Sequence, residues 1–138
     1  MWISSWLKES REVRYSKGKT RVRLGAFGER MALGHLKNSG YQIIAKNYRC
    51  SRGEVDIIAK DGTQLVFVEV RTRKGSNYGT PEESVDKIKQ AKIIEVAQSF
   101  LQEAGMEDAL WRIDVVAIQL TAGGKLSRIE IVKNAVML

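Results

Sequence analysis

The chain has 138 residues, of which 43% are hydrophobic and 28% charged, and its formal net charge is +7. This length predicts one globular domain, and Cys50, the only cysteine, excludes an intrachain disulfide and favours a cytoplasmic protein. With His35 as the only histidine, zinc chemistry and Ser–His or Cys–His catalysis lack their usual residues. No apolar run approaches about 18 residues and no signal-peptide pattern opens the chain, so we expect no integral membrane segment.

Positive charge is concentrated in the first 24 residues. They contain seven Lys or Arg residues and two Glu residues, so this segment carries +5 and the rest of the chain only +2. We predict a basic N-terminal arm over residues 1–24 and a single domain over residues 25–138. A basic arm favours nucleic acid or an anionic membrane surface as partner. The alternatives are a solvated tail and a protein-interaction role through Trp2 and Trp6.

The first helix is predicted from about residue 25 to 38. Glu29 lies at the centre of its apolar stripe, because Ala32, Leu33 and Leu36 fall within about 40–60° of it on a helical wheel. A carboxylate in such a stripe is unfavourable unless it is paired or binds a metal. The alternative, to which we give equal weight, is that Glu29 only complements the positive end of the helix dipole.

A strand is predicted over residues 41–49, and a hairpin over residues 53–73 follows it. Both arms of the hairpin are rich in β-branched residues, and Asp61-Gly62 between them is typical of a two-residue turn. This turn would pair Lys60 with Thr63.

Each arm of the hairpin carries a carboxylate in an otherwise apolar strand, Asp56 in the first and Glu69 in the second. With the two-residue turn they are diagonal neighbours on one face, roughly 7–8 Å apart between backbones. With a four-residue turn they are direct partners on one face. Arg71 lies two residues past Glu69 on the same face. Two acids beside a cation predict a divalent-metal site.

A polar loop leads to a second helix, predicted to begin between residues 81 and 84 and to end at Gly105. Lys89 falls inside the apolar stripe of this helix rather than opposite it. Its ammonium group either snorkels to the surface or reaches the acidic site. The predicted apolar stripe consists of Val85, Ile88, Ile93, Val96 and Phe100.

Two further strands are predicted over residues 111–120 and 126–132, joined by a Gly-Gly turn. For Asp114, on the first of them, we favour a structural role as partner of a nearby arginine over a role as metal ligand. The order of helix, three strands, helix and two strands predicts a mixed sheet with helices packed against it, an α/β or α+β fold.

Six short motifs occur in order along the chain. They are Gly-X-X-Gly-Glu at 25–29, Asn-Tyr-Arg at 47–49, Gly-Glu-Val-Asp-Ile-Ile at 53–58, Phe-Val-Glu-Val-Arg-Thr-Arg at 67–73, Tyr-Gly-X-Pro at 78–81 and Trp-Arg-X-Asp-Val-Val at 111–116. With these motifs the chain resembles the bacterial YraN-type family of predicted endonucleases, which is similar in its core to archaeal Holliday-junction resolvases. The resemblance extends from about Leu24 to Val136 and does not include the basic arm.

The resemblance implies a restriction-endonuclease-like fold, with a mixed central sheet of about five strands flanked by helices, and a PD-(D/E)XK nuclease site that uses Mg²⁺ or Mn²⁺. At the matching positions, Asp56 is the first metal-binding acid and Glu69 is the acid of the second half of the motif. Glu29 is the helix glutamate that supports the metal, directly or through water.

Arg71 occupies the position where this family usually has a lysine. Arginine keeps the positive charge and binds phosphate through two donors, but it cannot act as a base because its pKa exceeds about 12. Three alternatives stay open. The metal activates water unaided, Lys89 supplies the ammonium group, or the protein binds nucleic acid without cutting it efficiently.

The sequence thus predicts a metal-dependent endonuclease that hydrolyses phosphodiester bonds in DNA, with branched or damaged DNA as a candidate substrate. Its predicted catalytic residues are Asp56, Glu69, Arg71, Glu29 and Lys89, of which the three acids bind the metal. The alternative is a non-catalytic nucleic-acid-binding module on a nuclease fold. By analogy with resolvases, whose junction substrates have two-fold symmetry, we expect a homodimer. The predicted nucleic-acid contacts are Arg71, Arg73, Lys74, Arg21 and Arg23.

Overall fold

The computed structural model describes residues 19–75 and 79–136, with side chains in the first helix described from Leu24 onward. The arm before residue 19, Tyr78 of the fifth motif and the side chains of Arg21 and Arg23 lie outside the described residues. The division of the chain into arm and domain therefore stays a prediction.

The described helices and strands follow the predicted order of an α+β fold, which is confirmed. No helix of the described ranges is long and apolar enough to cross a membrane. The elements are α1 (Lys19–Asn38), β1 (Gln42–Cys50), β2 (Gly53–Asp61), β3 (Gln64–Lys74), a short 3-10 helix (Glu82–Ser84), α2 (Lys87–Glu103), β4 (Trp111–Leu120) and β5 (Leu126–Val132).

The five strands form one mixed sheet in the order β1-β2-β3-β4-β5. Neighbouring strands are antiparallel except for β3 and β4, which are parallel. A parallel pair cannot be joined by a tight turn and needs a crossover. Helix α2 provides this crossover and covers one face of the sheet, while α1 covers the other.

Each helix packs on its own hydrophobic core. In the α2-side core, Phe100 makes edge-to-face contacts with Tyr48 and Phe67, with ring centroids 5.2 and 5.7 Å apart. In the α1-side core, Ala32 and Leu36 pack on buried residues of β2, β3 and β4. Since successive strand side chains point to opposite faces, the central strands are apolar in continuous runs rather than in alternation.

The register of the β2–β3 hairpin differs from the predicted one by two residues. Asp61 pairs with Gln64 and Lys60 with Leu65, so the turn consists of Gly62 and Thr63. Gly62 has a φ of +62°, whereas Asp61 and Thr63 have no positive φ. A turn centred on Asp61-Gly62 would need positive φ at both residues, but glycine at the first central position suits a type II′ turn. The register that makes the two acids direct partners is therefore the one adopted.

Helix α1 begins at Lys19, six residues before its predicted start. Gly25, at the predicted start, and Gly28 are interior residues of the helix. Glycine is unfavourable inside a helix by about 1 kcal/mol relative to alanine unless packing requires it. At Gly28 packing does require it, because an added Cβ would overlap the Oγ1 atom of Thr72 on β3.

Helix α2 begins at Lys87, later than predicted, because Asp86 caps it. The Asp86 carboxylate accepts a hydrogen bond from the Lys89 backbone N–H at 2.9 Å, as N-cap residues do. The preceding residues form the separate 3-10 helix instead. Ile88, in the first turn of α2, is not part of the buried stripe as predicted and is 73% exposed.

The structural role predicted for Asp114 is confirmed. Its fully buried carboxylate accepts hydrogen bonds from Arg112 Nε at 2.9 Å, the Tyr41 hydroxyl at 2.8 Å and the Asn134 backbone N–H at 2.9 Å. Arg112 also bonds Asp61 at 2.7 Å, which lowers the pKa of that carboxyl. This cluster joins β4, β2, the start of β1 and the segment after β5.

Asp114→Ala should lower the free energy of unfolding by about 3–5 kcal/mol, because it leaves the buried Arg112 guanidinium without its main partner. Urea unfolding at neutral pH measures this loss. Asp108→Ala is the matched control, since Asp108 is exposed and a surface substitution should stay within about 0.5 kcal/mol. Equal stabilities of the two variants would contradict the structural role.

Candidate functional site

The two predicted hairpin acids lie where β2 and β3 separate. The backbone ladder between the strands ends at the pair Ile57–Val68, and the same register would next place Asp56 opposite Glu69. There, however, the Val70 N–H donates its hydrogen bond to Asp56 Oδ2 at 2.8 Å. The carboxylate takes the place of a backbone acceptor of β2, so the strands diverge without leaving this buried donor unpaired.

A rotation of β2 accompanies the separation. Asn47 of β1, opposite Asp56, has a φ of +52°, a left-handed conformation that asparagine tolerates better than most residues. Val55 belongs to the α2-side core and Ile57 to the α1-side core, although residues two apart in a regular strand share a face. The strand therefore turns at Asp56, which directs its carboxylate towards β3.

A cavity of about 430 Å³ opens between the separating strands. It brings together the three predicted acids (Glu29 from α1, Asp56 and Glu69), a fourth acid (Glu54) and three cations. The cations are Arg71 and Arg73 from β3 and Lys89 from α2. The other lining residues are Leu24, Gly25, Val70, Thr72 and Ser84.

Arg71, Arg73 and Lys74 are the predicted nucleic-acid contacts whose side chains the structure describes. Arg71 and Arg73 line this cavity, and Lys74 does not. Lys74 is exposed at the end of β3. Its Cε atom lies beside Gly124 in the β4–β5 turn, 3.9 Å from where a Cβ on that glycine would be. Sequence reasoning in turn missed Glu54, whose carboxylate bonds Arg49 at 3.0 Å. Its position two residues before Asp56 was a usable signal, whereas nothing in the sequence marked Thr72 or Ser84.

Glu69 is the most electrostatically perturbed acid of the cavity. Its side chain is nearly buried, and both Arg71 Nη2 at 3.1 Å and Lys89 Nζ at 3.6 Å contact its Oε2 atom. Burial, followed by the negative charge of Asp56, raises the pKa of Glu69 to about 8, and the charges of Lys89 and Arg71 only partly offset this. Glu69 therefore holds its proton to a higher pH than an exposed glutamate does.

Of the two alternatives for Lys89, the structure shows the one in which its ammonium group reaches the acids. The Asp86 cap places Lys89 in the first turn of α2, where its ammonium group lies between helix and sheet with a side chain 31% exposed. Arg71 contacts the same Glu69 oxygen as Lys89 does, through one terminal guanidinium nitrogen. The Nε atom of Arg71 is buried and has no hydrogen-bond partner among the described residues. Arg71 therefore retains a donor for a further acceptor.

The donor set suits a hard divalent cation. Carboxylate oxygens are the ligands that Mg²⁺ and Mn²⁺ prefer. A bound cation would offset the two main causes of the raised pKa of Glu69, which are its burial and the negative charge of Asp56. In the described part of the chain no three His, Cys, Asp or Glu side chains cluster at metal-ligand spacing. The arrangement is therefore two adjacent acids, Asp56 and Glu69, with Glu29 on the cavity wall rather than a closed set of three.

The stability of the protein should fall as the pH rises from about 5 to 8. A glutamate carboxyl has an ordinary pKa of 4.5, and folding raises the pKa of Glu69 to about 8, so between these values the folded state holds a proton that the unfolded state has released. Glu69→Gln cannot ionise and should flatten this dependence, whose slope approaches at most about 1.4 kcal/mol per pH unit. Urea unfolding across this pH range measures both slopes.

Glu95→Gln is the control for this titration, because Glu95 is exposed on α2. It should keep the wild-type slope. If Glu69→Gln also keeps that slope, the buried carboxyl is not the group that makes stability depend on pH.

Comparison with known proteins identifies relatives across the cavity-forming region. The family described as "Uncharacterised protein family UPF0102" matches residues 28–118. A UPF0102 protein of Moorella thermoacetica is 42% identical over 116 residues, which cover 84% of this chain and 97% of the relative. One of Syntrophus aciditrophicus is 43% identical over 114 residues, covering 83% and 88%. UPF0102 protein STH1475 of Symbiobacterium thermophilum is 45% identical over 113 residues, covering 82% and 95%. The chain therefore belongs to the UPF0102 family, the YraN-type family whose motifs it carries.

Proposed function

We propose that the chain is a Mg²⁺- or Mn²⁺-dependent endonuclease that hydrolyses phosphodiester bonds in DNA in the cytoplasm, with branched or damaged DNA as its substrate class. The observation that carries the proposal is the meeting of Asp56 and Glu69 at the strand separation, beside Lys89 and Arg71. The resemblance to resolvase-like nucleases supports it as well, since the two acids match the metal-binding positions of the PD-(D/E)XK site.

Asp56 and Glu69 would hold the metal, with Glu29 completing its surroundings from α1. When bound, the divalent ion supplies Lewis-acid chemistry to the phosphodiester. The protein's own contribution is to keep two carboxylates adjacent in a nearly buried position despite their mutual repulsion. The Val70 N–H holds Asp56, and Arg71 and Lys89 orient Glu69.

Lys89 and Arg71 have different parts in this proposal. Arg71 cannot give up a proton near neutral pH, so it binds and neutralises phosphate oxygens through its remaining donors. Lys89 carries a compact ammonium group on the cavity wall, and it stands in for the lysine that the family usually has at the position of Arg71. Its 3.6 Å distance from Glu69 exceeds that of a short hydrogen bond, which leaves its donors available to substrate.

Nucleic acid is the proposed partner, bound through the phosphate backbone. Arg71, Arg73 and Lys89 present positive charge inside the cavity, and the +5 charge of the basic arm adds salt-dependent affinity without sequence preference. We propose a homodimer, on the analogy that a four-way junction presents two equivalent strands to a two-fold symmetric enzyme.

A second candidate function is a nucleic-acid-binding module without efficient cleavage. The observation that favours it is the 3.1 Å contact between Arg71 and Glu69, which occupies the central acid with an arginine that cannot act as a base. This candidate predicts salt-sensitive DNA binding that survives Glu69→Gln, with no metal-dependent cleavage by the wild type.

Cleavage of labelled linear, flapped and four-way DNAs in the presence of Mg²⁺ or Mn²⁺ tests the first candidate. The wild type should cleave at least one substrate, while Asp56→Asn and Glu69→Gln should fall to background, because each removes a metal-binding charge but keeps the side-chain shape. Glu95→Gln should cleave as the wild type does. Wild-type cleavage no greater than that of the two acid variants would favour the second candidate.

The assignment of the ammonium group to Lys89 is tested by exchanging lysines. Lys89→Gln should lower kcat by about 10²–10³-fold, the usual loss for one preorganised electrostatic group. Lys92→Gln, on the exposed side of the same helix, should leave kcat unchanged. Arg71→Lys added to Lys89→Gln should restore part of the rate, because one lysine then again faces the acids.

Single-turnover kinetics on the best substrate measure these effects apart from product release. If Lys89→Gln cleaves at the same single-turnover rate as Lys92→Gln, Lys89 is not a catalytic residue.

A further inference from the structure

Helix α1 lies against β3 through a glycine that leaves no room for a side chain. An added Cβ on Gly28 would overlap Thr72 Oγ1, whereas it would be 3.5 Å from Thr72 Cβ and 3.8 Å from Ile118 Cδ1. The last two distances are ordinary van der Waals contacts. A single hydroxyl oxygen therefore occupies the space that a Cβ at position 28 would need, so helix and strand lie close together here.

This contact lies at the boundary between the two sides of the cavity. Gly28 precedes Glu29 in α1, and Thr72 lies between Arg71 and Arg73 in β3. The cavity is lined by Glu29 and by these three β3 residues. Because strand residues alternate, Thr72 points towards α1, whereas Glu69 and Arg71 point towards α2 and Lys89. Glu29 comes from the helix on one face of the sheet and Glu69 points to the other face.

Glu29 shares a cavity with Glu69 only because the β2–β3 ladder ends at Ile57 and Val68. The depth to which Glu29 enters that opening depends on how closely α1 lies on β3. One residue away from Glu29, the contact of Gly28 with Thr72 leaves no room for a Cβ between helix and strand. A Cβ at position 28 would move this turn of α1 outward and withdraw the carboxylate.

We propose that Gly28 and Thr72 are positioning residues, whose close contact holds Glu29 on the cavity wall, from where it supports, directly or through water, a divalent cation bound by Asp56 and Glu69. This inference rests on the proposed metal site, but it concerns how this chain builds the site rather than what the site cleaves. It also explains why glycine is kept inside α1 at a place where alanine would favour the helix.

The affinity for Mn²⁺, measured by titration calorimetry on the full chain without DNA, tests the proposal. Gly28→Ala should weaken Mn²⁺ binding about 10–100-fold, the usual range for residues that orient a metal ligand. The double variant Gly28→Ala/Thr72→Ala should bind within about threefold of the wild type, since the overlapping oxygen is gone and the nearest remaining atom is 3.5 Å away. Thermal unfolding of each variant is measured in parallel.

Two further variants separate positioning from helix stability. Gly34→Ala makes the same substitution in the same helix at an exposed position with no atom within 4 Å of the added Cβ, so it should keep wild-type Mn²⁺ affinity and unfold at a slightly higher temperature. Glu29→Gln should weaken binding by itself, and Gly28→Ala should then cause no further loss, because it acts through Glu29.

The outcomes distinguish this inference from the proposed function. If the wild type binds no Mn²⁺, the metal site and its positioning residues are both overturned. If the wild type binds Mn²⁺ and Gly28→Ala binds it equally well, only the positioning role is overturned. If Gly28→Ala does not fold, the double variant decides, because a folded double variant with weak Mn²⁺ binding overturns the proposal and one with restored binding supports it.

Discussion

The hydrogen bond from the Val70 backbone to the Asp56 side chain is the interaction on which the candidate site depends. A strand inside a sheet cannot separate from its neighbour without exposing or orphaning backbone groups, and an orphaned buried group is unfavourable by about 1–3 kcal/mol. Asp56 removes this obstacle because its carboxylate accepts the bond that a β2 carbonyl would otherwise accept. The sheet can therefore open at one point, and the opening lets side chains from both faces share one cavity.

The charges in that cavity favour function over stability. Glu69 is 4% exposed and lies beside a second acid, so the folded protein must either protonate it or bear the repulsion. Lys89 and Arg71 reduce this repulsion but do not remove it. An acid used only for structure would be balanced as Asp114 is, by a buried arginine and by several neutral donors. The contrast between Glu69 and Asp114 distinguishes an acid whose partners only partly balance its charge from one whose partners are complete.

Local patterns in the sequence were sufficient for the order of elements, for Asp56 and Glu69 on adjacent strands, and for Lys89 on the inner side of its helix. Each of these depends on periodicity or on a short motif. The hairpin register was not predictable, because it depends on which of the turn residues takes a positive φ, and only Gly62 does. The exposure of Ile88 was missed for a different reason. At 100° per residue it lies about 80° from Val96 and about 140° from Ile93, away from the buried side of α2. The contact of Gly28 with Thr72 joins residues 44 positions apart, and no local rule connects them.

The hairpin that carries both acids also bears on how the site is assembled during folding. Asp56 and Glu69 are brought together by a two-residue turn at Gly62, so they can meet early, as local contacts do. The parallel pairing of β3 with β4 forms only after α2 has crossed over, and the lysine that offsets their charge arrives with that helix. A half-folded chain thus holds the two acids with Arg71 but without Lys89. The docking of α2 therefore completes the charge pattern around Glu69 as well as the crossover between the parallel strands.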